Sequence, residues 1–270
     1  VLAARSGLIT PEQARQAFAD LAATFEHRPG RSWRSVEDTT ADPAIAYRRP
    51  KAWTSWQRGT DYYTEGALVW LEADTLIREQ SGGRRSLDDF ARAFFGRPGA
   101  GPMPQLYDRD DVVAALNAVQ PYDWDGFFRE RIERAGAAPP VGGLSRGGYR
   151  LAYRDEPAPG AGPEEGSNLT FSLGFAARKD GTISGVLWDG PAFRAGLTPG
   201  ARILAVNGLA HEDARLRAAV AAKGPVELVV RQGEAVRTVR LDGSAGLRLP
   251  RLERVAGTPA RLDDILKPRS

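Results

Sequence analysis

The side chains best suited to chemistry lie close together near residue 60. Asp61, Tyr62, Tyr63 and Glu65 open an apolar stretch. Because the two carboxylates are four residues apart, a helix would place them on one face. They could perform acid–base chemistry, bind the amino group of a substrate or pair with Arg residues, and the pairing with Arg is favoured. Taken without its context, the Tyr pair predicts the start of a buried helix whose core is capped by the two hydroxyl groups.

Composition excludes several kinds of metal and thiol chemistry within these 270 residues. The chain contains no Cys and two His, which rules out disulfides, zinc fingers, iron–sulfur clusters and thiol nucleophiles. The segment that starts at His211 begins like the zinc-binding pattern HExxH, but Arg215 stands where the second His belongs. Arg is not a zinc ligand. The other histidine, His27, is remote in sequence, so we expect no zinc site in this chain.

The charge pattern argues against a nucleic-acid partner. The chain has 37 basic and 34 acidic residues, a net charge of +3. Its Arg residues are interspersed with acidic ones, as between Arg129 and Arg134, which is typical of a solvated helix face. A nucleic-acid interface would need a one-sided basic stripe with interleaved aromatic residues. No apolar run approaches the roughly 18–20 residues of a membrane span, so no membrane-spanning segment is predicted.

The start of the sequence indicates that it belongs to a longer protein. The first residue is Val1, and the single Met is Met103. We therefore expect a processed chain or an excised piece. Because a clipped chain would not show a signal peptide, the compartment stays open between cytoplasm and periplasm.

The first half of the chain is predicted to be helical. Thr10 and Gln13 form a capping box at the start of an amphipathic helix. Residues 60–80 are apolar on most sides, which is typical of a central helix. Apolar residues recur at no regular spacing over residues 30–58, which predicts a long ordered loop. Its aromatic residues either pin the loop to the helices, which is favoured, or line a substrate pocket: Trp33, Trp53 and Trp56.

The amino-acid composition of the chain changes after residue 138. A linker rich in Gly and Pro, with one short strand, is predicted over residues 139–166. Short strands with turn signals follow over residues 167–243 and indicate a β-rich domain. Residues 244–270 are expected to form a tail that wraps around the protein or frays. The predicted fold class is therefore α+β. The predicted strands of the β-rich domain are 169–175, 185–188, 202–206, 226–231 and 235–241.

The β-rich segment resembles a PDZ domain. The motifs that carry the resemblance are Ser172-Leu173-Gly174-Phe175, residues 190–197 and residues 200–208, in the family's order. The resemblance implies that backbone N–H groups of Ser172, Leu173, Gly174 and Phe175 hold the terminal carboxylate of a peptide. The peptide would add as a strand beside residues 175–178, facing a helix over 212–222. The alternative is a domain that only packs against its neighbour, with its groove blocked.

The order of motifs along the chain resembles the C-terminal half of the glycyl aminopeptidase family. These enzymes are thermolysin-like (gluzincin) zinc metallopeptidases that carry a PDZ domain. The motifs lie on both sides of the Tyr pair, at residues 1–8, 30–33, 38–40 and 82–90. The resemblance implies that a HExxH helix and a later Glu, both preceding Val1, bind zinc in the full-length enzyme.

The family resemblance also assigns a role to Tyr63. Related enzymes use the Tyr of a Tyr-x-Lys-Gly motif to hydrogen-bond the oxyanion of the tetrahedral intermediate. This chain matches that motif at Tyr63 and Gly66, with Glu65 in place of the Lys. A phenol suits the role because it is neutral at pH 7 and donates one directional hydrogen bond. Tyr62 is a weaker candidate, since adjacent helical residues diverge by about 100°.

The resemblance leads to one functional prediction and one alternative. The chain would be the C-terminal region of a bacterial zinc aminopeptidase that removes N-terminal residues from peptides. It would supply Tyr63 and a PDZ module, and would be inactive by itself. Zinc would be the cofactor of the full-length enzyme, with none expected in this fragment. The expected partners are peptide substrates and a C-terminal peptide ligand. The alternative is a non-catalytic scaffolding protein that binds peptides through the PDZ groove.

Overall fold

The computed structural model describes residues 1–46, 51–96, 106–162, 165–242 and 245–268. The first part of the chain is helical. Its helices are α1 (Leu2–Arg5), α2 (Pro11–Glu26), α3 (Val36–Thr39), α4 (Asp42–Ala46), α5 (Thr54–Gln57), α6 (Asp61–Gln80), α7 (Leu87–Phe95), α8 (Arg109–Val119), α9 (Trp124–Phe128) and α10 (Gly142–Arg146), with a 3₁₀ turn at Pro29–Ser32 and a π turn at Arg129–Glu133.

The predicted capping box starts α2. The Thr10 hydroxyl accepts a hydrogen bond from the Gln13 backbone N–H at 3.2 Å, and the Gln13 side chain accepts one from the Thr10 N–H at 2.8 Å. Two of the donors left unpaired at a helix start are satisfied in this way. The sequence prediction for this helix is confirmed.

Helix α6 lies at the centre of the helical part, as its apolar pattern predicts. Leu68 and Leu71 pack into one core with residues of α2 and α10. Ala73 and Ile77 pack into a second core with residues of α7, α8 and α9. A helix that serves two cores must be apolar on more than one face. Gly143 of α10 allows a very close approach, because a Cβ there would lie 2.7 Å from the backbone nitrogen of Glu72.

The predicted linker and tail join the helical part instead of standing apart from it. Strand β1 (Tyr149–Arg154), in the linker, pairs antiparallel with β9 (Leu249–Arg254), in the tail. Helix α13 (Arg261–Leu266) follows, and its Leu262, Ile265 and Leu266 are buried in the core of α2 and α6. Of the two expectations for the tail, wrapping and fraying, residues 245–268 agree with wrapping. Its apolar residues are few, but they are spaced to bury one face of a strand and one face of a short helix.

The strands between β1 and β9 form a β-rich unit with its own core. They are β2 (Gly166–Leu169), β3 (Phe175–Arg178), β4 (Ile183–Val186), β5 (Arg202–Val206), β6 (Leu209–Ala210), β7 (Val226–Gln232) and β8 (Ala235–Leu241). Two helices accompany them, α11 (Pro191–Arg194) and α12 (Asp213–Ala221). One sheet has the order β2-β3-β4 and the other β6-β5-β7-β8, with antiparallel pairing throughout.

The α+β prediction is confirmed, with one strand misassigned. The predicted strand 169–175 is the end of β2, a turn and the first residue of β3. Apolar residues at every second position imitate a strand there, but Gly174 has a φ of 84° and reverses the chain. None of the helices in the described ranges combines the length and apolar content that a membrane-spanning helix requires.

Candidate functional site

Tyr62 and Tyr63 lie in the first turn of α6, at the protein surface. Tyr63 is 71% exposed. The ring centroids of the two residues are 4.3 Å apart, with an angle of 35° between the planes. The prediction that adjacent side chains diverge is wrong for these rings. No earlier turn of the helix crowds a side chain in the first turn, so the two rings fold toward each other.

The two phenol groups are neighbours on the surface. The pKa of Tyr62 is raised, and interaction with Tyr63 is the largest cause, followed by desolvation and the negative charge of Asp42. Tyr62 therefore stays neutral at pH 7, where a phenol can donate or accept a hydrogen bond.

Asp61 and Glu65 pair with Arg residues beneath the Tyr pair. Asp61 contacts Arg28 and the Nε of Arg58, the latter at 2.9 Å. Glu65 has no exposed side-chain surface and contacts Arg31 and Arg58. Of the roles open to these carboxylates, the structure shows the pairing with Arg. It leaves no exposed carboxylate on Glu65 to bind an amino group.

The ion network at the start of α6 carries excess positive charge. Arg28, Arg31 and Arg58 contribute three guanidinium groups against the two carboxylates of Asp61 and Glu65. Burial lowers the pKa of Arg31 to about 10, and the nearby charges of Arg58 and Arg131 act in the same direction. The N-terminus of the helix adds a partial positive charge of its own. The network and the helix N-terminus together place net positive charge at the start of α6.

Arg58 is held in an unusual conformation. It has a φ of 55°, and only 1% of its surface is exposed. This region of backbone space suits Gly, and a larger residue there costs of order 1–3 kcal/mol. Arg58 also donates to the backbone carbonyl of Arg34, and its own carbonyl accepts from Lys51 at 3.0 Å. The ion pairs with Asp61 and Glu65 offset the strain, so Arg58 fixes the turn from α5 into α6.

The sequence interpretation missed the three Arg residues of this network. Scattered Arg residues indicated solvated surfaces, and the network partners lie before α6 in loops and turns. The positions of Asp61 and Glu65 in the sequence could have indicated these partners. Two acidic residues inside a helix that is apolar on most sides require buried cationic partners.

Described residues offer no zinc site. No group of three or more His, Cys, Asp or Glu in the described ranges could hold a metal ion. His27 ends α2, and its Nδ1 lies 3.0 Å from the carbonyl of Ala23. His211 lies in the β-rich unit, against Gly181. These two residues do not form a shared ligand set.

The second predicted site, residues 172–175, forms the turn between β2 and β3. The backbone N–H groups of Ser172, Leu173 and Gly174 all donate to the carbonyl of Leu169, at 3.0, 2.8 and 3.1 Å. Phe175 is fully buried and begins β3. The residues thus form a small nest of converging amides, which is the geometry that binds an anionic oxygen. In this structure the nest surrounds an oxygen of the chain itself.

The Trp residues of the long loop bind the two parts of the molecule together. Trp56 stacks on Trp188 of the β-rich unit at 5.4 Å, and Trp53 meets Phe193 edge-on at 5.2 Å. The backbone N–H of Trp188 donates to the hydroxyl of Ser55 at 2.9 Å. The expectation that the loop is pinned to the helices is wrong for Trp53 and Trp56. Their aromatic partners lie in a domain distant in sequence, which local patterns do not reveal.

Comparison with known proteins shows one family match and two structural similarities. The model of the M61 glycyl aminopeptidase family matches residues 1–69. No curated protein matches the sequence. The structure is similar to that of an aminopeptidase N family protein from Idiomarina loihiensis, with a TM-score of 0.72 and 19% identity. That match covers 97% of this chain and 45% of the other, so the chain spans under half the length of its structural relative.

A second structural match is local. It is the HtrA3 PDZ domain bound to a phage-derived ligand (FGRWV), with a TM-score of 0.23 and 20% identity, covering 41% of this chain and 95% of that domain. The first match, at low identity, establishes a shared fold, and the family model carries the sequence relationship. Residues 1–69 are therefore similar in sequence to the M61 glycyl aminopeptidase family.

Proposed function

We propose that this chain contributes to a zinc-dependent aminopeptidase that removes N-terminal residues from peptides. The family match over residues 1–69 and the shared fold support a peptidase-related role. The described residues contain no zinc ligand set, so the zinc would be held by residues outside this chain. By itself the 270-residue chain would neither bind catalytic zinc nor hydrolyse an aminoacyl substrate.

Within this proposal, Tyr63 stabilises the oxyanion that forms when the scissile carbonyl is attacked. The observation that carries the assignment is the exposure of Tyr63 in the first turn of α6. Tyr63 is 71% exposed, so its hydroxyl can donate to an external acceptor. The surplus positive charge at the start of the same helix would favour the developing negative charge. Tyr62 would be a positioning residue, because its ring lies 4.3 Å from that of Tyr63.

The test compares Tyr63→Phe with Tyr62→Phe in the full-length enzyme. Removing the oxyanion donor typically costs about 2.7–4 kcal/mol. We therefore expect Tyr63→Phe to lower kcat by about a hundredfold or more with little change in KM. Tyr62→Phe keeps the Tyr63 donor and loses only its alignment, so its kcat should fall much less. An unchanged kcat in Tyr63→Phe would remove this residue from the mechanism.

The alternative function, a non-catalytic peptide-binding scaffold, depends on a groove that is open to external peptides. In this structure strand β2 lies beside β3, where such a peptide would add. The full-length measurement separates the two functions, because a scaffold would show no turnover that either Tyr substitution could change.

A further inference from the structure

The peptide groove of the β-rich unit is already filled by a strand. A peptide ligand of a PDZ-like domain would add antiparallel to β3 and face α12. Strand β2 takes that position. It pairs antiparallel with β3 over its whole length, from Gly166 opposite Arg178 to Leu169 opposite Phe175. The other edge of β3 pairs with β4. Both edges of β3 are therefore occupied.

The end of β2 imitates the end of a bound peptide. The carbonyl oxygen of Leu169 accepts the three converging amides of Ser172, Leu173 and Gly174, where a ligand would place its terminal carboxylate. The Leu169 side chain is 1% exposed and belongs to the core of the unit, together with Leu216 of α12. An aliphatic terminal residue of a ligand would fill the same space.

Helix α12 holds β2 from the other side. The hydroxyl of Ser167 donates to Asp213 at 2.5 Å, and Arg217 donates to the carbonyl of Gly166 at 2.5 Å. Arg217 also pairs with Asp213 at 3.2 Å. Ser167 is 1% exposed. The strand is thus bound through its backbone, one aliphatic side chain and a buried hydroxyl.

The turn that carries the converging amides is fixed from outside as well. The Ser172 hydroxyl accepts a hydrogen bond from the backbone N–H of Arg248 at 3.0 Å. The ring of Phe171 packs against His27 and Tyr153, at centroid distances of 5.1 and 5.7 Å. These contacts join the turn to α2 and β1, so the groove faces the helical part of the molecule.

We propose that Gly166–Leu169 is the resident ligand of the groove, and that the β-rich unit does not capture external C-terminal peptides while β2 is in place. A five-residue turn tethers β2 to the site. Segments joined by so short a connection compete at an effective concentration of about millimolar or higher. An external peptide of ordinary affinity therefore does not displace it. The groove thus holds the strand through which the chain enters the β-rich unit from the linker.

The first test measures binding of a fluorescent octapeptide ending in Leu, as the free acid and as the amide. The 270-residue chain should bind neither form measurably. In a release variant, Ser167→Ala with Leu169→Ala, the strand loses its anchors, and the free acid should bind at least about tenfold more tightly than the amide. Asn168→Ala is the matched control, because Asn168 lies on the same strand with an exposed side chain. It should behave like the unmodified chain.

Two results of this binding test would contradict the proposal. If the unmodified chain binds the free acid in preference to the amide, the groove is open and the proposal is wrong. It is also wrong if the folded release variant gains no preference for the acid, because β2 is then not what closes the site.

Hydrogen exchange supplies a second test that needs no variant. The amides of Ser172, Leu173 and Gly174 should exchange on the order of a hundredfold more slowly than free amides, because each is bound to the Leu169 carbonyl. Exchange at the rate of an open loop would show that β2 leaves the site readily and would overturn the proposal. Aminopeptidase activity plays no part in either test, so the failure of this proposal and that of the proposed function are distinguishable.

Discussion

A single fully buried carboxylate organises the start of the central helix. Glu65 occupies the position at which the related motif carries a Lys, and its side chain contacts Arg31 and Arg58. With an acidic residue there, the buried guanidinium groups have a partner and the turn before α6 is held. The residue that departs from the motif therefore has a structural partner set of its own.

Replacing Glu65 should show how strongly this network supports the fold. Glu65→Gln removes the negative charge that pairs with buried Arg31 and leaves Arg58 with Asp61 as its carboxylate partner. Breaking a buried ion pair in this way costs about 3–5 kcal/mol. Urea denaturation followed by circular dichroism should show a decrease of that size in the free energy of unfolding.

Glu12→Gln is the matched control for this substitution. Glu12 is roughly half exposed and pairs with Arg15 on the surface of α2. Exposed ion pairs contribute little to stability, so the free energy of unfolding should change far less than in Glu65→Gln. Equal effects of the two substitutions would contradict the structural role of Glu65.

The residues at the start of α6 differ in how directly the sequence indicates them. Tyr63 is a candidate from the sequence because it resembles the Tyr of a short motif, and its catalytic role stays a prediction. Arg28, Arg31 and Arg58 have no such spacing, since they converge on Asp61 and Glu65 only after the loops have folded. The direct contact between Tyr62 and Tyr63 depends on side-chain rotamers, which helical geometry alone does not determine.

At the scale of elements, the strand pair β1–β9 connects the last helix to the first long one. Tyr149 of β1 donates to Asp263 of α13 at 2.7 Å, and Asp263 also pairs with Arg15 of α2 at 2.8 Å. Burial, followed by the hydrogen bond to Asp263, raises the pKa of Tyr149 to about 12. Burial and the charge of Glu26 raise the pKa of Tyr153 in the same strand.

The raised pKa of Tyr149 predicts a loss of stability at alkaline pH. A group whose pKa is raised by folding stabilises the protein fully below its unfolded pKa, near 10, and loses that contribution as pH rises through its folded pKa. The free energy of unfolding should therefore decrease between about pH 10 and pH 12. Tyr149→Phe should be less stable at pH 8 and should show a shallower decrease in that range.

Tyr107→Phe serves as the control for the alkaline measurement, because Tyr107 is 62% exposed. Its pH profile should follow that of the unmodified chain, as determined by urea denaturation at several pH values. A Tyr149→Phe profile with an unchanged slope would show that this phenol is not linked to folding.

Helix starts and tight turns that depend on neighbouring residues are predicted well from the sequence. Strands that form only by pairing with a distant segment are not. The capping box of α2 and the turns beside Gly181 and Gly233 depend on neighbouring residues, so the sequence indicates them directly. Strand β9 depends on β1, which lies about a hundred residues away. The short strand β2 was merged with β3, because alternating apolar residues continue through the turn between them.

At the scale of the whole molecule, an aromatic cluster joins the helical part to the β-rich unit. Trp53 and Trp56 come from the loop that leads through Arg58 into α6. Their partners Trp188 and Phe193 lie beside α11 and within it. The position of the β-rich unit is therefore connected to the start of the helix that carries Tyr63.

A double-mutant cycle should measure this connection. Trp56→Ala and Trp188→Ala each remove one half of a stacked pair. Aromatic pairs contribute about 0.5–1.5 kcal/mol beyond their buried area, so the free energies of unfolding should be non-additive by roughly that amount. The same cycle with Phe95→Ala in place of Trp188→Ala should be additive, because Phe95 is exposed and its ring partners belong to α7. Additivity in both cycles would argue against a coupled interface.

The pairing of β1 with β9 makes the β-rich unit an insertion. Arg154, the last residue of β1, lies directly opposite Leu249, the first residue of β9. The chain thus leaves the helical part and returns to it across the width of one hairpin. A two-residue turn such as Asn-Gly could close that gap, so the path of the chain through the helical part does not depend on the inserted unit. Attachment at both ends also restricts its swivelling far more than a single linker would.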